Sequence, residues 1–465
     1  MLQKLFFQPG INKQITPTAA ESQWIGGDNV RFRYGVPEKI GGWDQLGADK
    51  LTGAVRAVHH FLDSNGVKYA ALGSNKILYV YSGGTYYDIH PIKTTFTETS
   101  CFTTSSSSAT VTITFSSGHG MQPGDIIRTS SVTITGSTFT SSDFDDQRFE
   151  VITVPTPTTI TITMGETEQS GPITTSGSAT IEYYEPVGPS QQVSGRGFGT
   201  GLFGGTVSGP ATTTLASGIN DAVTDIPLTS SASFPTSGEI RIGSEDISYA
   251  ANDTSTNILS GGAREVNGTT AATHSGGATV TNISGYMAWG EASSEDFIID
   301  PGLWVFDNYG TKLIALIYNG KCFEWDADAG NATGTRATVI SGAPTASRHM
   351  IVSTPDRHLV FFGTETTIGT PSTQDDMFIR FSDQEDINTY APKATNTAGT
   401  QRLTGGSRIM GARRGRDAIY IWTDTALFLM RFVGQPFTFT FSQVGTNCGL
   451  IGKNANTEVD GNAYW

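Results

Sequence analysis

The 465-residue sequence has only three cysteines, Cys101, Cys322 and Cys448, and they lie far apart. That spacing excludes a disulfide framework and a Cys-x-x-Cys metal knuckle. Charged residues make up 15% of the chain, too few for a coiled coil, a helical bundle or a charge-rich disordered chain. No apolar run approaches the ~20 residues of a membrane helix; one of the longest runs from Leu313 to Tyr318. The expectation is a soluble protein without a membrane span. The opening residues lose their apolar character after Phe7 and offer no small-residue cleavage site, so a secretory signal is not expected.

Lysine is missing from one region altogether. Between Thr94 and Thr311 there are 22 acidic residues, 5 arginines and no lysine, which gives −17, whereas the remainder holds 24 bases against 21 acids. The chain's formal charge of −14 therefore joins a near-neutral body to a strongly acidic middle, two parts with different surroundings.

Chemical signatures are scarce too. There is no Gly-x-Ser-x-Gly elbow, no His-Glu-x-x-His helix and no repeated Ser-x-Asp-x-Gly-x-x-Trp box, and Trp-Asp occurs only twice, at Trp43-Asp44 and Trp325-Asp326. A Gly-x-Gly-x-x-Gly string occurs at Gly199, Gly201 and Gly204, but Thr206-Val-Ser-Gly-Pro210 follows it. Proline and further glycine do not propagate the helix that phosphate cradling needs, so the string reads as a turn-rich linker. His59 and His60 are adjacent on a predicted strand and point to opposite faces, while His349 and His358 flank a turn without an evident carboxylate or cysteine partner. Asp143, Asp145 and Asp146 read as a solvated acidic loop without the glycine and glutamate of an EF-hand, and Asp326 and Asp328 as turn residues. The chain reads as a non-enzyme with no cofactor and no metal, although two carboxylates brought together by folding leave no local motif.

Glycine (55), phenylalanine (25), tyrosine (15) and tryptophan (7), with abundant Thr and Ser, predict an all-β protein of short strands and turns. The segment Gly66-Val-Lys-Tyr-Ala-Ala-Leu-Gly-Ser-Asn75-Lys-Ile-Leu-Tyr-Val-Tyr81 aligns without a gap on Gly310-Thr-Lys-Leu-Ile-Ala-Leu-Ile-Tyr-Asn319-Gly-Lys-Cys-Phe-Glu-Trp325. A third copy runs from Gly415 through Asp424 to Met430, a looser fourth from Pro355 to Phe381, and a fifth begins at Asp460. Each is an apolar strand, a polar turn and an aromatic-rich strand. Starts near 310, 356, 415 and 461 are spaced by 46 to 59 residues, the period of a four-stranded propeller blade. Removing the roughly 192 residues of the acidic middle from the interval between positions 66 and 310 leaves 52, the same period. The fold class is therefore a β-propeller platform interrupted by two small inserted β-sandwich or barrel-like modules. A propeller closes to protect its edges, and the fifth copy stops inside a blade; a longer chain or a neighbouring subunit would supply the missing strands.

The expected organisation is an N-terminal segment and first blade over 1–93, a Thr/Ser-rich module over 94–187, a Gly-rich linker over 188–211, a second module over 212–284, and further blades over 285–465. Thr and Ser fill 39 of the 87 positions from 94 to 180, with alternations such as Ala109-Thr-Val-Thr-Ile-Thr-Phe115 that predict half-buried strands. One basic segment stands out: Arg402, Arg408, Arg413, Arg414 and Arg416 fall within fifteen residues. Arginines gathered ahead of a strand are candidates to touch the phosphates of DNA passing nearby, or else form a solvated or subunit-pairing loop.

Phe7-Gln-Pro-Gly10-Ile-Asn-Lys-Gln, then Trp24-Ile-Gly-Gly-Asp-Asn29-Val-Arg31-Phe-Arg33 and Gly35-Val-Pro-Glu-Lys-Ile-Gly-Gly42-Trp43, resemble the start of the tail-hub or nozzle proteins of short-tailed bacteriophages, also described as packaged-DNA stabilisation proteins. Pro301-Gly-Leu-Trp304, Asp307-Asn-Tyr-Gly310 and Gly449-Leu-Ile-Gly452 extend the resemblance to about half of the chain. It implies a structural protein of the virion tail, made in the bacterial cytoplasm. It would assemble as a homo-hexameric ring beneath the adaptor and portal-proximal proteins, contact tail fibres or a needle, and touch double-stranded DNA transiently and without sequence preference. The alternatives are a receptor-binding adhesin that recognises host glycans, using surface aromatics such as Tyr86 and Tyr87, and a propeller glycosidase.

Overall fold

The structure, a computed structural model, describes residues 7–42, 50–134, 137–169, 176–190, 211–284 and 300–465. Four separate antiparallel sheets of four strands each form the platform. The first blade comprises Val55–Leu62, Lys68–Ser74, Leu78–Ser82 and Thr85–Asp88. The second comprises Trp304–Tyr309, Lys312–Ile317, Cys322–Asp326 and Thr338–Val339. The third holds Ser347–Ser353, His358–Thr364, Phe378–Phe381 and Gly399–Arg402, and the fourth Ile409–Arg414, Ile419–Thr423, Ala426–Gly434 and Thr438–Thr446. A hairpin, Thr457–Val459 with Asn462–Tyr464, follows.

The opening strand of each sheet lies beside the opening strand of the next, from Val55–Leu62 through to Thr457–Val459. These five strands are therefore the inner ones, gathered about a common axis, and the architecture is a propeller. The sequence copies are the second and third strands of each blade. The turn between first and second strands needs a positive φ, and glycine supplies it at Gly66, Gly310 and Gly461 (φ +80°, +65° and +81°).

What holds the blades is apolar packing between neighbouring sheets. Phe61, Tyr69, Trp304 and Trp325 share one core between the first and second blades. Leu316, Met350 and Phe361 join the second to the third, and Phe362, Phe381, Ile421 and Phe428 join the third to the fourth. Trp422 and Leu450 continue this toward the last hairpin, against Ala463. Gly73 shows how close the sheets come: a Cβ there would lie 2.6 Å from the Trp304 ring.

The first insertion is a single seven-stranded sheet whose central strands, Ile92–Thr104 and Ser176–Tyr184, run directly out of the platform. Its Thr-rich strands alternate as expected: Val111, Ile113, Ile160 and Ile162 are buried while the intervening threonines line the other face. Gln147–Glu150 at one edge approaches Thr159–Thr163 near the other, so the sheet curls into a half-closed barrel. The second insertion packs a four-stranded and a three-stranded sheet around Ile226, Ile240, Ile242, Ile247 and Leu259. The Gly199, Gly201, Gly204 string, most of the 188–211 linker and Trp43-Asp44 lie outside the described residues.

Candidate functional site

The inner strands carry polar side chains about the axis, and two clusters form there. The first lies where the inner strands begin. Arg348 is the second residue of the third inner strand, Arg408 immediately precedes the fourth, and Lys453 precedes the fifth. All three converge on Asp300, which lies ahead of the second. Lys453 Nζ is 2.7 Å from Asp300 Oδ1, Arg348 Nη1 donates to Oδ2 at 3.3 Å, and Arg408 Nη2 donates to the same oxygen. Tyr318, in the turn after Lys312–Ile317, donates its hydroxyl to Asp300 at 3.2 Å and accepts from Arg348 at 2.8 Å and from Arg408. The Lys453 ammonium sits 3.3 Å from the centre of the Tyr318 ring, a cation held over a π face. Arg348 also forks onto Asp376 at 2.7 and 3.0 Å. One carboxylate thus ties together side chains from three successive blades and the final hairpin.

Burial alone would push the Asp300 carboxyl up, but the Lys453 hydrogen bond and the Lys453 and Arg408 charges outweigh it and hold it below the ordinary range. Burial, with Arg408 and Arg348 nearby, lowers Lys453 despite its carboxylate partner. The cluster holds three cations against two carboxylates.

The second cluster is further along the axis. Asp307 is buried and accepts from Val352 N at 2.8 Å, from Asn308 N at 2.9 Å and from Arg414. His59 Nε2 and Asn308 Oδ1 are 3.2 Å apart, and His349 donates Nε2 to Ala412 O at 3.1 Å. Burial pushes the His349 imidazole down to about 4, so at neutral pH it is an uncharged packing element. His358, which the sequence left without a carboxylate partner, has one: its Nδ1 is 2.7 Å from Asp356 Oδ2, and both side chains are buried. It stands in a strand paired with Ser347–Ser353 rather than beside a free turn. Such satisfied buried pairs are structural.

The five arginines that neighbour one another in sequence do not form one patch. Arg402 forks onto Asp375, Arg408 joins Asp300, Arg413 donates to Asn456 O at 3.2 Å, and Arg414 joins Asp307. A strand rises about 3.3 Å per residue, so the Ile409–Arg414 strand carries Arg408 and Arg414 to opposite ends of the axis. Arg413 and Arg416 are exposed. The acidic loop is not free either: Asp143 caps the helical turn Ser141–Phe144, Asp145 accepts from Val132 N, and Asp146 pairs with Arg128. Asp326 and Asp328 do serve turns, accepting from Asp328 N and from Ser64. Among the described residues there is no group of three or more metal-ligating side chains, and no helix is long and apolar enough to cross a membrane.

Asp300, Tyr318, Arg348 and Lys453 are not adjacent in the sequence: one strand and three separate loops or turns deliver them. The only available signal was positional: Arg56, Arg348 and Arg408 stand at the starts of inner strands.

No protein-family model matches the sequence, and no curated protein matches it significantly. Solved structures do. A Bacteroides uniformis protein named as a 6-phosphogluconolactonase is 14% identical, over 55% of this chain and 88% of its own, with a TM-score of 0.24. The endosialidase of phage phi92 is 13% identical, over 88% of this chain and 67% of its own, with a TM-score of 0.17. The extracellular domain of a hybrid two-component system from B. thetaiotaomicron is 8% identical, over 90% and 57%, with a TM-score of 0.18. With every TM-score below 0.25, nothing about chemistry follows from them.

Proposed function

We propose that this protein is the tail hub, or nozzle, of a short-tailed phage, a structural subunit of a ring that retains the packaged genome and conducts it out on infection. The reading rests on the run of motifs from Phe7 to Gly42 that resembles that family and leads into the first blade. Rigid blades packed face to face suit a tube wall that must bear load without changing shape. A conduit must not grip DNA tightly, and a near-neutral body, with 24 bases against 26 acids outside 94–284, suits that better than a uniformly basic wall. Repetition around a ring would multiply weak phosphate contacts into a useful hold. The inserted modules over 94–284, with 17 acidic residues against 5 arginines, would be repelled by DNA and would face outward.

Particle averaging by electron microscopy, on the purified protein and on virions, tests the assembly. A sixfold ring with an open centre on the tail axis is expected; a threefold spike or a peripheral fibre would overturn the reading and favour an adhesin. Arg413 and Arg416 are exposed and can be replaced by Gln without removing the Asp307 partner Arg414. Such particles should assemble normally and show altered genome retention.

A further inference from the structure

We infer that the cationic mouth around Asp300 is a binding site for a phosphate oxyanion, in which Asp300 is the resident occupant that an incoming phosphate displaces. Three observations carry this, and none depends on the hub reading. The cluster holds a surplus positive charge, with Arg348, Arg408 and Lys453 facing Asp300 and Asp376. Its donors outnumber its acceptors: Arg408 Nε is buried with no hydrogen-bond partner, and a two-oxygen carboxylate already takes bonds from Arg348, Arg408, Tyr318 and Lys453. A tetrahedral oxyanion presents more acceptor oxygens to such a set, and guanidinium forks suit it.

The third observation is placement. The cations come from the start of the third inner strand and from the turns that lead into the fourth and fifth, so the site lies at one mouth of the propeller axis. Gathering three half-buried like charges is costly unless an anion accompanies them, so an anion belongs among them. Asp300 fills that role within the chain, and exchange for phosphate would keep the cations neutralised and the blades joined. Two sources share this chemistry: free phosphate and the phosphodiester of a nucleic acid.

The test is chemical rescue. Asp300→Ala should lower the thermal midpoint of the full chain in sodium chloride, and inorganic phosphate at matched ionic strength should restore most of it. Phosphate titration followed by 31P NMR should show Asp300→Ala binding at least tenfold more tightly than the unaltered protein. Adding Arg408→Gln or Lys453→Met to Asp300→Ala should abolish both effects. Equal melting in phosphate and chloride, or rescue that survives loss of Arg408 or Lys453, would overturn the proposal. Should Asp300→Ala refold poorly, refolding yield in phosphate against chloride reads the same rescue, and Lys453→Met in the otherwise unaltered chain should lose any phosphate-dependent rise in midpoint. Competition by a short DNA duplex for the 31P signal would identify the source as a phosphodiester. Absence of competition, with rescue intact, would identify it as free phosphate.

Discussion

The two inserted modules are both small, β-rich and acidic, yet they relate to the platform in opposite ways. The first leaves the propeller through the strand beginning at Ile92 and returns through the strand ending at Tyr184. At that junction Tyr184 packs with Ile77, Tyr79 and Ile126, and its ring stacks on His90 at 5.0 Å. Arg336, from the second blade, donates to Tyr184 Oη at 2.9 Å, His90 O at 2.9 Å and Asp88 at 3.2 Å, while Arg148 reaches Asp88 from the module side at 3.1 Å. The second module gathers its described ion pairs within itself, Arg241 with Asp246 and Arg264 with Glu245, and His274 Nε2 lies 2.8 Å from the same Glu245. An insertion that shares a core with its host melts with it, whereas one that closes its own core is a separate cooperative unit. The first module closes a core of its own around Phe102, Ile113, Ile160 and Ile181 but also shares the Tyr184 cluster with the platform, so it is latched there, whereas the second, among the described residues, packs only on its own core.

The strongest way to break this comparison is Arg264→Met. Glu245 is fully buried and takes two bonds of 2.6 Å from Arg264. Stranding that carboxylate should cost about 3–5 kcal/mol. Hydrogen exchange should quicken across 211–284 and stay unchanged in the blades and the first module. A matching loss in the blades would show that the second module is not self-contained.

Acid should separate the modules next. His90 accepts from Leu78 N through Nδ1 and donates Nε2 to Glu185 O. Burial, with Arg336 nearby, pushes it down from 6.5 to about 4 against the pull of Asp88 and Glu185 O. Its folded value is depressed, so the unfolded imidazole takes up a proton first as the pH falls. The latch therefore loses stability from pH 6.5 to about 4, by something on the order of 3 kcal/mol at the limit, and loses no more below that. Glu245 is lowered to about 2: burial opposes this, but Arg264, His274 and Ala272 N prevail. Its contribution holds down to its ordinary 4.5 and fades toward 2. Exchange compared at pH 7.5 and 5.0, corrected for intrinsic rates, should quicken at 78–92 before the Glu245 contribution to 211–284 begins to fade. Equal protection of the junction at both values would refute the assignment of His90.

Tyr184→Phe should act more mildly. It keeps the packing and removes the hydroxyl that donates to Asp88 at 2.6 Å and accepts from Arg336. A loss of about 1–2 kcal/mol is expected, read as a lower thermal midpoint for platform and first module together. A shift confined to the module would mean that the junction is a hinge.

The sequence exposed the platform because its blades repeat one burial pattern. Gly66–Tyr81 and Gly310–Trp325 align since each must place apolar residues on both faces of an inner sheet and turn at the same points. The alternation in 109–115 and 159–164 exposed the first module's strands, but not their order. In that sheet Thr110–Thr114 pairs with Thr159–Thr163 across almost fifty residues of chain, and period-two alternation carries no partner information. The Asp300 cluster was illegible for a related reason: residues 300, 318, 348, 408 and 453 meet only once the blades wind about an axis. The arginine run shows the converse, since neighbours along a strand go to different partners: Arg408 to Asp300, Arg413 to Asn456 O and Arg414 to Asp307.

The smallest effect is the most discriminating about what the latch is made of. Lys321 Nζ lies 3.0 Å from Glu185 Oε1 across the same junction, with its side chain 38% exposed. A solvated pair of this kind contributes roughly 0.2–1 kcal/mol and weakens with salt. Lys321→Ala should therefore lower the midpoint by a degree or two at most, about what a few tenths of a kcal/mol gives in a chain this long, and the difference should vanish in high salt. If it instead rivalled Arg264→Met, charge rather than the buried Tyr184 and His90 packing would hold the first module. The two insertions would then differ in where their ion pairs lie and not in whether they share a core.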